Sequence, residues 1–205
     1  MIALLPDAGT LAAFLGAGLV LNLTPGADVM FALACGARGG PRAGIAAAAG
    51  VAVGCLFHVL LTAAGLAAVL AATPAALDLV RYAGAAYLAW LALHAWRATP
   101  PETDEAGTES LLRAFGKGVV TNVLNPKVAL FILAFLPQFA DPDRGPVWAQ
   151  LLVLGTLFAL TGLLVTGTYG AAGGVLRSRL AARSRLLDRM SALVFAALAV
   201  RLVVA

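Results

Sequence analysis

The sequence predicts an all-α integral membrane protein of about six transmembrane helices, built as two inverted three-helix repeats with broken first and fourth helices. Three observations predict it. Of 205 residues, 61% are hydrophobic and only 12% charged, against roughly 25% charged in soluble domains, and the mean hydropathy is +0.94. Six stretches approach or exceed the roughly 20 apolar residues that cross a bilayer. Two of the six are interrupted by a proline set among polar residues. A small soluble domain leaves too much surface exposed to hide this many apolar side chains, so lipid is their solvent. The net charge of +4 reads as membrane orientation, and no nucleic-acid partner is expected.

The candidate spans lie near 10–34, 43–71, 74–96, 115–139, 147–172 and 187–205. Before the first, MIALLPDAG has no Lys or Arg and so lacks the basic start of a signal peptide; the first span is expected to stay in the mature protein. Arg38-Gly39-Gly40-Pro41-Arg42 is a charged turn after it. Thr73-Pro74 opens the third span, with proline in its favoured first-turn position. A polar, acidic linker over 97–114 separates the halves, 1–96 and 115–205, within a single membrane domain. Asp141-Pro142-Asp143-Arg144-Gly145-Pro146 divides the fourth and fifth spans, and Arg177, Arg179, Arg183, Arg185 and Arg189 divide the fifth and sixth. Basic flanks stay cytoplasmic. The first, third and fifth loops hold two, two and five Lys/Arg, while the fourth holds only Arg144 and the second none. Both termini are therefore expected outside.

The halves resemble one another at an offset of 101, which pairs Phe14 with Phe115, Leu23 with Leu124, Pro25 with Pro126, Gly44 with Gly145, Gly54 with Gly155 and Phe57 with Phe158. Three helices per half force opposite topologies on the halves, the inverted-repeat plan of many secondary transporters.

The chemistry is expected at the interruptions, Asn22-Leu23-Thr24-Pro25-Gly26-Ala27-Asp28 and Asn122-Val123-Leu124-Asn125-Pro126-Lys127. Proline removes a backbone donor and clashes with the preceding turn. The carbonyls it releases need protein or a watery cavity, because lipid cannot satisfy them. Paired broken helices at corresponding positions point to a transporter's binding site. Asp28 and Lys127 are ionisable groups inside apolar segments, where each costs about 2.5–3.5 kcal/mol on insertion scales. Asp28 is a candidate for binding an amino group or carrying a proton. Lys127 is a candidate partner of Asp28 or of a substrate carboxylate. An ion pair that only fixes helix contact is the structural alternative. Substrate-binding or coupling residues are thus expected among Asn22, Thr24, Pro25, Gly26, Asp28, Asn125, Pro126 and Lys127.

Small residues recur at i+4 spacing in two spans: Ala46, Gly50, Gly54, then His58 and Thr62; and Gly162, Thr166, Gly170, Gly174. Close helix packing is the primary reading of both rows. His58 is weighed as a proton relay, a ligand contact or a satisfied interior histidine, with the last ahead. Cys55 and His58 lie near one another on a helix, but two ligands make a weak metal signal. Tyr82, Tyr87, Trp90, Trp96 and Trp148 fit interfacial belts. No Walker loop, hydrolase elbow or dinucleotide fingerprint occurs, so neither an enzyme nor a cofactor is expected, and uphill movement would draw on an ion gradient.

Asn22-Leu23-Thr24-Pro25-Gly26 and Asn125-Pro126-Lys127 resemble the LysE/RhtB-type amino-acid exporters, the lysine and homoserine/threonine efflux family. The resemblance continues through Gly39 to Ile45, Ala49-Gly50-Val51, Gly84 to Leu88, Asn125 to Phe131 and Phe135-Leu136-Pro137-Gln138-Phe139, covering roughly 14–142. One departure is Ala27, where the family usually has a second proline. The resemblance implies export of amino acids or close derivatives across the cytoplasmic (inner) membrane, in exchange with protons. The wider superfamily includes metal-ion exporters, which stand as the alternative; a membrane-embedded enzyme is a second. The expected partners are a small amino-acid substrate and the lipid bilayer, and homo-oligomerisation is left open.

Overall fold

The computed structural model describes residues 4–72 and 110–173, with single helical positions between 82 and 97 and between 189 and 200. The expected third and sixth spans and most of the 97–114 linker lie outside the described residues. All regular elements among the described residues are helical.

Helix α1 runs Ala8–Leu23. Asp7 caps it, with Oδ1 accepting from the amides of Gly9 and Thr10 at 3.0 Å and Oδ2 from the Thr10 hydroxyl at 2.7 Å. These bonds, the Thr10 hydroxyl first, hold the exposed Asp7 carboxyl below its ordinary pKa. α1 stops where Pro25 forbids the helical conformation to the preceding residue: Thr24 is extended, with ψ 117°. The chain re-enters helix as α2, Ala27–Ala72, which changes direction at Gly40.

Here the structure differs from the sequence expectation. Residues 38–42 are a single-residue corner and not a loop, because helix continues on both sides of Gly40. Gly40 has φ 79° and ψ 178°, a conformation open essentially to glycine alone, and Pro41 then starts the second arm with its φ already set. Gly145, at φ 139°, precedes Pro146 in the same way at the entry to the last described helix.

Helix α3, Leu111–Val123, is capped by Ser110, whose Oγ accepts from Arg113 N at 3.3 Å. Asn125 is extended before Pro126, with ψ 104°, and caps α4, Pro126–Phe135, by accepting from the Lys127 amide at 3.0 Å. The α3–α4 pair is bent by 60° at this break. The chain tightens into a 3-10 turn at Leu136–Phe139, makes another at Pro142–Arg144, and enters α5, Val147–Ala171. Gln150, fully buried, clamps the corner before α5: its Nε2 donates to Asp141 O and Gly145 O at 2.7 and 3.0 Å, and its Oε1 accepts from Asp141 N at 3.0 Å.

By length and composition, the Ala27–Gly65 stretch of α2 and the whole of α5 can cross a membrane, and the bent α3–α4 pair can serve as a third span. α1, at 16 residues, is only about 24 Å long and falls short by itself of the roughly 30 Å core.

α2 packs against both α3 and α5. Its Gly50 and Gly54 sit where a Cβ would strike the backbone of Phe115 and Val119 in α3, and Gly170 of α5 meets Gly44 backbone to backbone. Gly50, Gly54 and Gly170 of the i+4 rows are therefore close-packing positions, with no hydrophobic driving force needed between helices in lipid; Gly162 and Thr166 border the cavity instead, and Gly174 lies outside the described residues. Ala32, Cys35, Ala43, Ala47 and Ala114 fill this small-residue side. The opposite side is aromatic. Phe131 stacks with Phe135 and Phe158 at centroid distances of 4.7 and 5.1 Å, and Phe139 meets Phe14 and Phe135 edge-on at 5.2 and 4.7 Å. Away from this core, the Arg189 guanidinium lies 5.4 Å from the Trp96 ring centroid, within cation–π range.

Candidate functional site

The two proline breaks meet. Each releases one carbonyl in particular, the oxygen four residues before the proline, since that is where the missing N–H would have donated. For Pro25 this is Leu21 O, and for Pro126 it is Asn122 O. Both are satisfied by side chains from the other half. Lys127 Nζ donates to Leu21 O at 3.2 Å and to Thr24 O at 3.1 Å. His58 Nε2 lies 3.1 Å from Asn122 O. A carbonyl only accepts, so His58 Nε2 carries the hydrogen. Asn125 N also reaches Asn122 O, at 2.9 Å, and Tyr169 of α5 donates to Leu23 O at 3.2 Å. The Lys127 cation thereby lies at the negative, carbonyl end of α1. Gly26 leaves room for it, since a Cβ there would come within 3.3 Å of Nζ.

Asp28 sits in the first turn of α2, at the helix end that favours a negative charge. It reaches across to the other break. Oδ2 accepts from Asn122 Nδ2 at 2.8 Å and from Asn125 Nδ2 at 2.9 Å. Asn125 is then locked at both ends of its amide, because its oxygen caps α4. Asp28 Oδ1 and Asn122 Oδ1 are buried without a hydrogen-bond partner.

These groups line a cavity of about 40 Å³ between the breaks, α2 and α5, room for a few waters. Of the residues singled out from sequence, Asn22, Thr24, Gly26, Asp28, Asn125 and Lys127 face it. His58 stands behind it on Asn122, and Pro25 and Pro126 shape the backbone. Asn22 turns toward α5, donating to Thr161 Oγ1 at 3.1 Å and to Phe158 O at 3.4 Å. Thr24 Oγ1 donates back to Val20 O at 2.8 Å. The rest of the wall includes Val29, Val51, Cys55 and Phe158, with Thr166 as a further polar group.

Sequence reasoning passed over Asn122 and Thr166. Asn122 lay inside the quoted motif, and its position four residues before a proline was the available signal. Thr166 was read only as a small residue in a packing row. Among the described residues no group of three or more His, Cys, Asp or Glu could hold a metal ion.

The family model described as LysE type translocator matches residues 19–205. The chain is 32% identical over 183 residues to a homoserine/homoserine lactone efflux protein of Salmonella typhimurium, covering 88% of this chain and 86% of that one. It is 33% identical over 141 residues to a leucine efflux protein of Enterobacter sp., covering 67% of each. A Vibrio cholerae protein described as an uncharacterized membrane protein is 36% identical over 145 residues, 70% of each chain. No solved structure matches the chain.

Proposed function

The chain belongs to the LysE type translocator family, and on that premise we propose that it is a secondary transporter that exports amino acids or close derivatives, coupled to protons through Asp28. The observation that carries this reading is the buried Asp28 carboxylate, held by Asn122 and Asn125 at the junction of two broken helices and open to a cavity. A carboxylate in a membrane bundle is expensive unless it is neutralised. A proton or a cationic cargo at Asp28 relieves that cost, and alternation between them yields exchange.

The proposed architecture has six spans in two inverted repeats, 1–96 and 115–205, joined by a cytoplasmic linker over 97–114, in the cytoplasmic membrane. The parallel between the described halves supports it. Each has a helix broken before a proline, a second helical piece, a glycine–proline corner and a long helix. The contact of Arg189 with Trp96 also fits third and fifth loops on one side of the membrane.

The test is export from cells overexpressing the protein, across lysine, threonine, homoserine, leucine and cadmium. The wild type is expected to lower the intracellular level of at least one amino acid and to leave cadmium tolerance unchanged. Asp28→Asn is expected to insert and fold but to lose gradient-driven export by at least about tenfold, with substrate binding less affected than transport. Normal pH-dependent export by Asp28→Asn would remove this residue from coupling. Cadmium tolerance alone, abolished by Cys55→Ala, would overturn the amino-acid reading.

A further inference from the structure

We propose that the carbonyl end of α1 forms a monovalent-cation site and that the Lys127 ammonium is its permanent occupant, a tethered cation standing where a free coupling ion would otherwise bind. The consequence for transport, that the cycle draws on no sodium or potassium, rests on the export reading; the site itself does not.

Secondary transporters with broken helices coordinate coupling cations through the carbonyls of an unwound segment and of a half-helix C-terminus. The first break offers both kinds. Leu21 O is the last-turn carbonyl that Pro25 leaves without its amide, and Thr24 O belongs to the extended residue of the break itself. The two converge on one point, since Nζ lies 3.2 Å from the first and 3.1 Å from the second. That point also feels the partial negative charge of a helix C-terminus. Gly26 keeps it open, because a Cβ there would come within 3.3 Å of Nζ. Leu21, Thr24, Gly26 and Lys127 all border the cavity of about 40 Å³, which gives a small ion a way to the carbonyls once the side chain is removed.

Lysine brings charge here, and not hydrogen bonding alone. Leu23 O, in the same stretch, is met by the Tyr169 hydroxyl at 3.2 Å, and Val20 O by the amide and hydroxyl of Thr24. At the second break, Asn122 O is met by His58 and by the Asn125 amide. Donors other than an ammonium therefore serve the neighbouring carbonyls. An ammonium inside an apolar segment is costly, unless the place it occupies itself favours a cation. At the offset of 101, Lys127 corresponds to Gly26. One segment thus supplies the carbonyls and a glycine, and the other supplies the cation that fills the space.

The experiment follows thermal unfolding of the purified full chain in detergent. The media are the chlorides of ammonium, methylammonium, potassium and sodium, with N-methylglucamine chloride at equal ionic strength as the bulky reference. The wild type and Lys127→Arg, which keeps a tethered cation, are expected to unfold within about 1 °C of the same midpoint across the series. Lys127→Ala is expected to unfold lower than the wild type in N-methylglucamine and to regain at least about 2 °C, saturably, in one or more of the small-cation salts. Lys127→Met, which keeps most of the stem and loses the ammonium, is read in the same series should the alanine variant not accumulate, with the same direction expected. A lysine that only latched the helix end would give the loss without the recovery. Variants that no small cation raises above the N-methylglucamine midpoint would therefore overturn the cation site. A wild type whose midpoint climbs saturably with sodium or potassium would overturn permanent occupancy. In proteoliposomes, wild-type counterflow of labelled leucine, homoserine or threonine is expected to stay within about twofold when N-methylglucamine replaces both alkali ions. Counterflow that stops without an alkali ion would overturn the tethered cation and leave export standing. No counterflow in any medium would overturn the export reading, while the unfolding midpoints by themselves decide the site.

Discussion

At the residue scale, Lys127 and His58 do for the backbone what the prolines prevent it from doing for itself. Lys127 holds Leu21 O and Thr24 O, and His58 holds Asn122 O. Removing the lysine takes a charged donor from two inward carbonyls, and a buried carbonyl that loses its donor costs about 1–3 kcal/mol. Lys127→Met should therefore lower the midpoint of thermal unfolding in detergent, by more than Lys127→Arg, whose guanidinium keeps several donors on a charged head. Equal stability of wild type and Lys127→Met would show that water or another donor replaces Nζ. Asp28 and Lys127 were both legible in the sequence as charges in apolar segments. That Lys127 reaches α1 carbonyls, and that Asp28 is held by two asparagines, was not legible, because a partner roughly a hundred positions away leaves no local trace.

At the element scale, the breaks form by a simple local rule: the residue before proline is driven out of helix, at Thr24 and at Asn125. Pro126 then occupies the first turn of α4, where its missing donor costs nothing. Alanine at that position restores an N–H aimed at Asn122 O. Pro126→Ala should leave overall stability within about 1 kcal/mol, yet slow export several-fold. The new N–H competes with His58 and lets α3 run on, drawing Asn122 and Asn125 away from Asp28. Export rate in proteoliposomes beside a thermal unfolding curve reads both effects; unchanged export would mean that the bend does not depend on Pro126. The corner at Gly40 was visible as a Gly-Pro pair, but its sharpness was not. Helix on both sides depends on the backbone contacts of Gly44 and Gly170, which only packing decides.

At the scale of the whole molecule, the cavity lies between unlike sides. Alanine and cysteine pack one, and Phe14, Phe131, Phe135, Phe139 and Phe158 interlock on the other. The proposed topology sets the small-residue side, near the Gly40 corner, toward the cytoplasm and the aromatic side toward the exterior. Reporters fused within 100–110 or after Arg183 should then signal a cytoplasmic location, and one after Gly145 an external one. Reversal at these positions would remove the inverted repeat along with the orientation. The aromatic cluster joins residues from α1, α4, the following 3-10 turn and α5. Its members were individually apparent as apolar, but nothing in their spacing announced that they meet.

What the sequence determined by itself was whatever depends on composition or on a residue's immediate neighbours. Lipid is the solvent because the apolar fraction leaves no alternative, and two helices break because prolines interrupt them. Close-packed faces follow the i+4 rows of small residues. Tertiary structure decided which side chains meet the freed carbonyls. It chose Lys127 for one break and His58 for the other, brought Asn122 and Asn125 to Asp28, and left Asp28 Oδ1 and Asn122 Oδ1 buried without a hydrogen-bond partner. The physical reason is that a broken helix creates a local demand for hydrogen bonds and lipid cannot meet it, while its supply comes from whichever element packs alongside.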